Sequence, residues 1–380
     1  MNWIALRMLT GDAVKYLGMV FGVAFSTLLI SQQSSIFVGL VERASTTIYD
    51  VRDADLWVMD ARIKSVDGSW PLPPTALYRV RGVSGVAWAA PYLKGSTTIV
   101  TGDGQLETAM LIGVDDASLA GLPVKVVEGS KTALRQPGAI VMDRAGYQFL
   151  FKGAPFEYGR TLELNDHRAV IVGLVEAGAQ FTSQISIFTR YSTAQDFAPG
   201  GRNRLSFILA KAATGQAPEA VARRITEATG LKALSSRDFA KATSDFIIGN
   251  TGIPISFGTV VGLGIVVGIV VVALTFTLFI RDNLRQFGAL KAIGVTNGRL
   301  ILMVLLQGGL VGVTGYGIGL GLAALAIQGG AASTLALRGF YLPWQVAVLA
   351  AVVVATMIII AGLIALRSVL TTDPATVFRG

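Results

Sequence analysis

Apolar positions in the 380-residue chain gather into four long runs that hold no charge: 16–41, 255–280, 300–328 and 344–366. Each exceeds the roughly 20 residues that a helix needs to cross a hydrocarbon core of about 30 Å, so the pattern predicts four membrane-spanning helices. The middle of the first run is polar, SQQSS at 31–35. Arg7 and Lys15 precede that run as they would in a signal peptide. The apolar stretch outlasts a signal core, however, and no clean small-x-small cleavage site follows it, so an uncleaved span is expected.

Glycines recur four apart in the second and third runs, as Gly258 and Gly262, Gly264 and Gly268, Gly308 and Gly312, and Gly317 and Gly321. Small residues at this spacing let helix backbones approach closely where lipid supplies no hydrophobic drive, so these positions are expected at helix contacts.

Between the first two runs the pattern changes. Short β-rich runs at 54–60, 85–93, 96–104, 107–115, 161–176 and 185–189 alternate with turn signals. Helical spacing occurs at 75–83 and at 218–230, the latter opening on Pro218 and Glu219 and closing at Gly230. The segment 42–250 is therefore expected to be a mixed α+β domain of two subdomains with a long β-rich insertion.

A third pattern lies between the second and third runs, at 281–299. Read as a helix, RDNLRQFGALKAIGVTNGRL puts Phe287, Leu290, Ile293 and Gly294 within an arc of about 120°, and Arg281, Arg285, Gly288 and Ala292 on the other side. Gly294 is the expected helix end. The result is a short amphipathic helix with one greasy face and one that begins cationic and becomes small.

Composition sharpens this picture. Mean hydropathy is +0.59 and hydrophobic residues make up 52% of the chain, the range of an integral membrane protein. Net charge is +8, with no nucleic-acid-binding motif beside it. Arg7 and Lys15, the cluster Arg281, Arg285, Lys291 and Arg299, and Arg367 with Arg379 flank the spans. The positive-inside rule puts all three groups in the cytoplasm. Both termini are then inside, at 1–15 and 367–380, and 42–250 and the short loop 329–343 are outside. In that loop FYLPW at 340–344 has the look of an aromatic interface anchor.

The inventory for chemistry is thin. Cysteine is absent, which removes disulfides and thiolate metal sites, and His167 is the sole histidine. His167 follows Asn165 and Asp166 between two alternating runs, the signature of a hairpin turn. Asp115 and Asp116 read as a turn or a helix cap. There is no G-x-S-x-G elbow and no G-x-x-x-x-G-K-[ST] phosphate loop, so no catalytic, metal-binding or cofactor-binding residue is assigned. No ionisable residue lies inside a span, which argues against an intramembrane enzyme.

The string RQFGALKAIGVTNGRL, followed by a Gly-rich span, resembles the signature of the FtsX/MacB-type ABC transporter permeases, where R-x-x-E-[IF]-G-x-L-[RK]-A-I-G-A is typical. The resemblance extends to one N-terminal span, a large external domain, three C-terminal spans and the tail Asp373-Pro374-Ala375-Thr376-Val377-Phe378-Arg379. The segments at 77–93 and 137–150 look like recurring pieces of that family's periplasmic domain. The chain is most similar to DevC-like permeases encoded apart from their ATPase. One departure is Gln286, where many members have glutamate.

The resemblance implies a coupling helix that sits in a groove of a separate cytoplasmic ABC ATPase, which binds the ATP and Mg, beneath a permease homodimer. Carried over, Arg281, Arg285, Gln286, Phe287, Gly288, Leu290, Lys291, Ala292, Ile293 and Gly294 form the docking element, and Gly288 permits close approach. It also implies a bacterial inner-membrane location with 42–250 in the periplasm, and export with an HlyD/MacA-like adaptor and a TolC-like outer-membrane channel. Family members with similar architecture signal to a cell-wall hydrolase, as FtsX does, or extract lipids or lipoproteins, for which SQQSS could contact a headgroup. These alternatives stay open at this point.

Overall fold

The computed structural model describes residues 7–9, 11–68, 70–123, 125–199 and 205–370. Along the chain run α1 (Ala13–Ala44), α2 (Thr46–Asp50), β1 (Leu56–Met59), α3 (Thr75–Arg81), β2 (Val86–Val100), β3 (Leu106–Val114), β4 (Val126–Gly129), β5 (Ala139–Asp143) and α4 (Arg144–Leu150). They continue as β6 (Thr161–Leu164), β7 (His167–Val175), β8 (Ser186–Arg190), α5 (Tyr191–Phe197), β9 (Phe207–Ala212), α6 (Pro218–Thr229), β10 (Lys232–Ser235) and α7 (Ser236–Asn250). Last come α8 (Ile253–Asp282), α9 (Leu284–Ala292), α10 (Asn297–Ser333) and α11 (Trp344–Leu370). Two compact units result, one built from Met1–Gly39, Gly252–Ser333 and Phe340–Gly380, the other from Leu40–Thr251 and Thr334–Gly339.

In the first unit α1, α8, α10 and α11 are long and apolar enough to cross a membrane. The helices outrun the charge-free runs that predict them. The 37 residues of α10 extend for about 56 Å at about 1.5 Å per residue, more than a hydrocarbon core requires.

Close backbone approach organises the packing. A Cβ on Gly264 would sit 3.3 Å from Leu29, and one on Gly268 would collide with Ser26 and Met357. Gly308 and Gly312 lie against Ile358. Gly258, Gly262, Gly317 and Gly321 differ: a Cβ there would meet no neighbouring atom of this chain within 4 Å. In their place Gly22 abuts Val271, Gly315 abuts Val23 and the Val20 carbonyl, and Gly319 abuts Thr27 and the Ala24 carbonyl.

Polar groups of α1 turn inward as well. Ser26 Oγ donates to the Gly264 carbonyl at 2.9 Å, and Ser31 and Ser35 are buried within the helical unit. At the start of α11 and just before it, Trp344 and Tyr341 are exposed while Phe340 is buried, so FYLPW does not face outward as a whole.

The second unit is built on a ten-stranded sheet in the order β10-β1-β9-β2-β3-β8-β5-β7-β4, with β6 pairing β2 and β7. Most neighbours are antiparallel; β3 with β8 and β5 with β7 are parallel. Both faces of the first half are covered. Period-two alternation sends Leu56 and Val58 of β1 into one apolar cluster, with Val80 and Ile225 of α3 and α6, and Trp57 and Met59 into another, with Tyr92, Phe207 and Phe239.

The two runs expected at 85–93 and 96–104 are one 15-residue strand, β2. Its first part pairs with β9 as far as Tyr92 and its second with β3 from Leu93 on, so Lys94 and Gly95 lie inside the β3 pairing and are not a break. Lys94 is buried there and pairs with Asp67; burial pulls its ammonium below the usual lysine range, and Asp67 opposes that shift. Helix α6 follows its sequence signals, with Pro218 in the first turn and Gly230 left-handed at φ 70°, its N–H donating to the Thr226 carbonyl.

Asp50, at the end of α2, is the most perturbed acid in this unit. Burial pushes its carboxyl up to about 6, although the Gly178 N–H and the Arg338 and Arg52 guanidiniums pull the other way; nearby Asp143 adds to the rise. The folded chain thus holds a proton that an unfolded aspartate has lost, and stability falls as pH rises from about 4 to about 6. At about 1.36 kcal/mol per unit, the cost above that window is about 3 kcal/mol at most. Asp50→Asn, which keeps an acceptor for Gly178, is expected to raise the melting temperature of the full-length protein in nanodiscs at pH 7.5 and to leave it nearly unchanged at pH 4. An equal shift at both pH values would rule this out.

Candidate functional site

The chain between α8 and α10 leaves the first helix at Asn283, whose side chain donates to the Phe279 carbonyl at 2.8 Å. The Asn283 backbone carbonyl accepts from the N–H groups of Gln286 and Phe287, which starts α9. Arg281 therefore belongs to α8, and the continuous face from Arg281 through Arg285 to Ala292 expected from the sequence does not form. The cause is local: asparagine competes with the helical ladder through its own side chain.

The other end of α9 is a Schellman motif. The Gly294 N–H donates to the Lys291 carbonyl and the Val295 N–H to the Leu290 carbonyl, each at 3.1 Å, with Gly294 at φ 97°. Leu290 and Val295 both pack against the helical core, which supplies the apolar contact that accompanies this cap.

Between these ends α9 is asymmetric. Phe287 is 2% exposed and joins Leu9, Phe279, Ile280, Leu300 and Met303 in one buried cluster. Arg285 and Gln286 are exposed, as is Arg281 at the end of α8. Gly288, Leu290 and Lys291 are half-buried. Ile293 departs from expectation: it is 82% exposed, because the helix stops one residue earlier and the cap turns it away from the core. The side chain of Ala292 and the tail at 373–379 lie outside the described residues.

One contact had no signal in the sequence. Lys15, near the start of α1, pairs with Asp12 and also with Asp282, which ties that region to the entry of α9. Such solvent-facing pairs are weakened by water and salt, so they orient the loop and do not hold it.

The residues that a catalytic search would examine are engaged in turns. Asn165 and Asp166 take φ values of 47° and 63° in the two-residue turn between β6 and β7, and His167 is exposed with Nδ1 2.8 Å from the Asn165 carbonyl. Asp115 accepts from the N–H and hydroxyl of Ser118 at 2.8 and 2.7 Å. Asp116 accepts from the N–H and hydroxyl of Ser192, in the first turn of α5. Among the described residues no group of three or more His, Asp or Glu could hold a metal ion.

The α+β unit and the helical unit each match a family model. Residues 16–228 match the MacB-like periplasmic core domain, and residues 258–374 match the FtsX-like permease C-terminal domain. The chain belongs to the FtsX/MacB-type ABC transporter permeases. α9 lies inside the FtsX-like match, and the ten-stranded sheet falls largely within the MacB-like one. Membership in this permease family implies a partner ABC ATPase and dimerisation.

Among solved structures, the periplasmic region of MacB from Actinobacillus actinomycetemcomitans is 15% identical to this permease, covering 54% of this chain and 96% of that one at a TM-score of 0.40. The extracellular domain of YknZ, a noncanonic ABC-type transporter from Gram-positive bacteria, is 14% identical, covering 48% and 98% at a TM-score of 0.36. No curated protein matches the chain.

Proposed function

We propose that this permease converts ATP hydrolysis by a separate cytoplasmic ATPase into movement of its α+β domain, and that the movement drives export. In this reading α9 is the coupling helix, on the cytoplasmic side of a bacterial inner membrane with both termini. Residues 42–250 stand in the periplasm, where an HlyD/MacA-like adaptor and a TolC-like outer-membrane channel complete the path. ATP and Mg belong to the ATPase; this chain is the non-catalytic subunit.

One observation carries the reading. Phe287 is buried in the helical core while Arg281, Arg285 and Gln286 beside it stay exposed. An element so anchored cannot be pushed from outside without displacing α8 and α10, which flank it. Its free side offers cations for acidic groups or helix C-termini and half-buried Gly288 for close approach.

The test is Gly288→Trp in the full permease, co-expressed with its ATPase. The variant is expected to insert and assemble, and its stimulation of the ATPase is expected to fall to the level of the ATPase alone. Stimulation equal to wild type would remove α9 as the docking element.

A further inference from the structure

Six residues that connect two membrane helices pack with the other unit. Thr334–Gly339, between α10 and α11, groups by its contacts with the α+β unit. Two arginines hold it there. Arg338 Nη1 donates to Asp143 Oδ2 at 2.7 Å, and Nη2 donates to the Ala177 carbonyl at 2.5 Å. Arg43, in the last turn of α1, donates from Nη1 to the Ala336 carbonyl at 2.9 Å and from Nη2 to the Arg338 carbonyl at 2.5 Å. Leu335 adds an apolar contact to the cluster that contains Tyr147 and Leu150.

The acceptor is fixed before Arg338 arrives. Asp143 ends β5 and caps α4: its carboxylate accepts from the Gly146 N–H at 2.9 Å and from the Ser186 N–H of β8 at 2.8 Å, with the side chain 2% exposed. A guanidinium that bridges this carboxylate and a carbonyl has a defined position and angle, and leaving it would strand a buried charge. A surface tether would need none of this.

We propose that the 334–339 loop is a latch, by which displacement of α10 and α11 is delivered to the corner formed by β5 and α4, in addition to whatever passes through the domain's own chain ends. The inference rests on the reading that ATP-driven movement of the helices is passed to the α+β domain. It assigns Arg338 and Asp143 a transmitting role far along the chain from α9.

The absence of cysteine makes the test direct, because two introduced cysteines are the only thiols of this chain and can be labelled before the ATPase is added. Gln148 of α4 and Leu325 of α10 are both exposed and would carry spin labels in the full-length permease with its ATPase in nanodiscs. In the wild-type background ATP is expected to shift the distance between the labels. Arg338→Ala is expected to keep ATPase stimulation, to lose that shift, and to speed amide exchange in 334–340 by on the order of tenfold or more.

Retention of the shift in Arg338→Ala would overturn the latch while leaving the coupling reading intact. Absence of a shift in the wild type would overturn both. Should Arg338→Ala fail to assemble, Arg338→Lys keeps the charge but reaches a single partner, and it is expected to reduce the shift; a full shift there would equally overturn the latch.

Discussion

Gly319→Leu is expected to keep α1 and α10 from seating against each other, so that the full permease loses its monodisperse peak in detergent and its cooperative thermal transition. A Cβ at 319 would lie 2.6 Å from Thr27 Cβ and nearer still to the Ala24 carbonyl oxygen. A side chain in that position could rotate away; a helix carbonyl cannot without moving the helix. One turn earlier Gly315 repeats the arrangement, 2.9 Å from the Val20 carbonyl and 2.7 Å from Val23. Overpacking against yielding side chains costs about 1–3 kcal/mol, so against backbone the cost is at the top of that range or above. Gly317→Leu is the control: nothing stands within 4 Å of its Cβ position, and the variant is expected to unfold like wild type as an isolated chain. Equal behaviour of Gly319→Leu and Gly317→Leu would mean that this contact does not hold α1 to α10.

The same glycines mark where sequence reading succeeds and where it stops. A charge-free run is a one-dimensional property, and the four long helices follow it directly. Which face of a helix meets a neighbour is not. Gly308 and Gly317 are nine residues apart, a rotation of about 900° and therefore opposite sides of one helix, so the two G-x-x-x-G pairs in α10 cannot share a contact. The face that meets other helices of this chain is Gly308, Gly312, Gly315 and Gly319, at the spacing of a continuous helical stripe. A count of motifs hides that stripe; the rotation angle reveals it.

In the α+β unit, the strands with strong alternation and the Asn165-Asp166 turn were legible because their signals are local. β4, β5, β9 and β10 were not: β5 and β9 are buried along nearly their whole length and lack a polar alternate face, and β4 and β10, at four residues each, are too short to show a period. The link from Arg338 to Asp143 spans 195 positions and no local pattern announces it. At α9 the arc that grouped Ile293 with Phe287 assumed an unbroken helix from 281 onward, and Asn283 and the Gly294 cap each shortened it.

That shortened helix makes Phe287 the residue on which coupling should depend most steeply. Phe287→Ala removes a buried ring from the cluster with Phe279, Leu300 and Met303, at a cost of about 3–5 kcal/mol if the space does not collapse. None of the exposed residues Arg281, Arg285 or Gln286 is altered, so a loss confined to the docking surface predicts no change in function. An anchoring role predicts the reverse: the melting temperature falls, and stimulation of the ATPase falls with it, because force applied to α9 is absorbed locally and does not reach α8 and α10. Phe287→Leu, closer in volume, is expected to recover much of both. Arg285→Ala separates the two effects, since it should weaken stimulation with little change in stability. A Phe287→Ala permease that melts earlier yet stimulates its ATPase fully would show that α9 transmits without being fixed in the core.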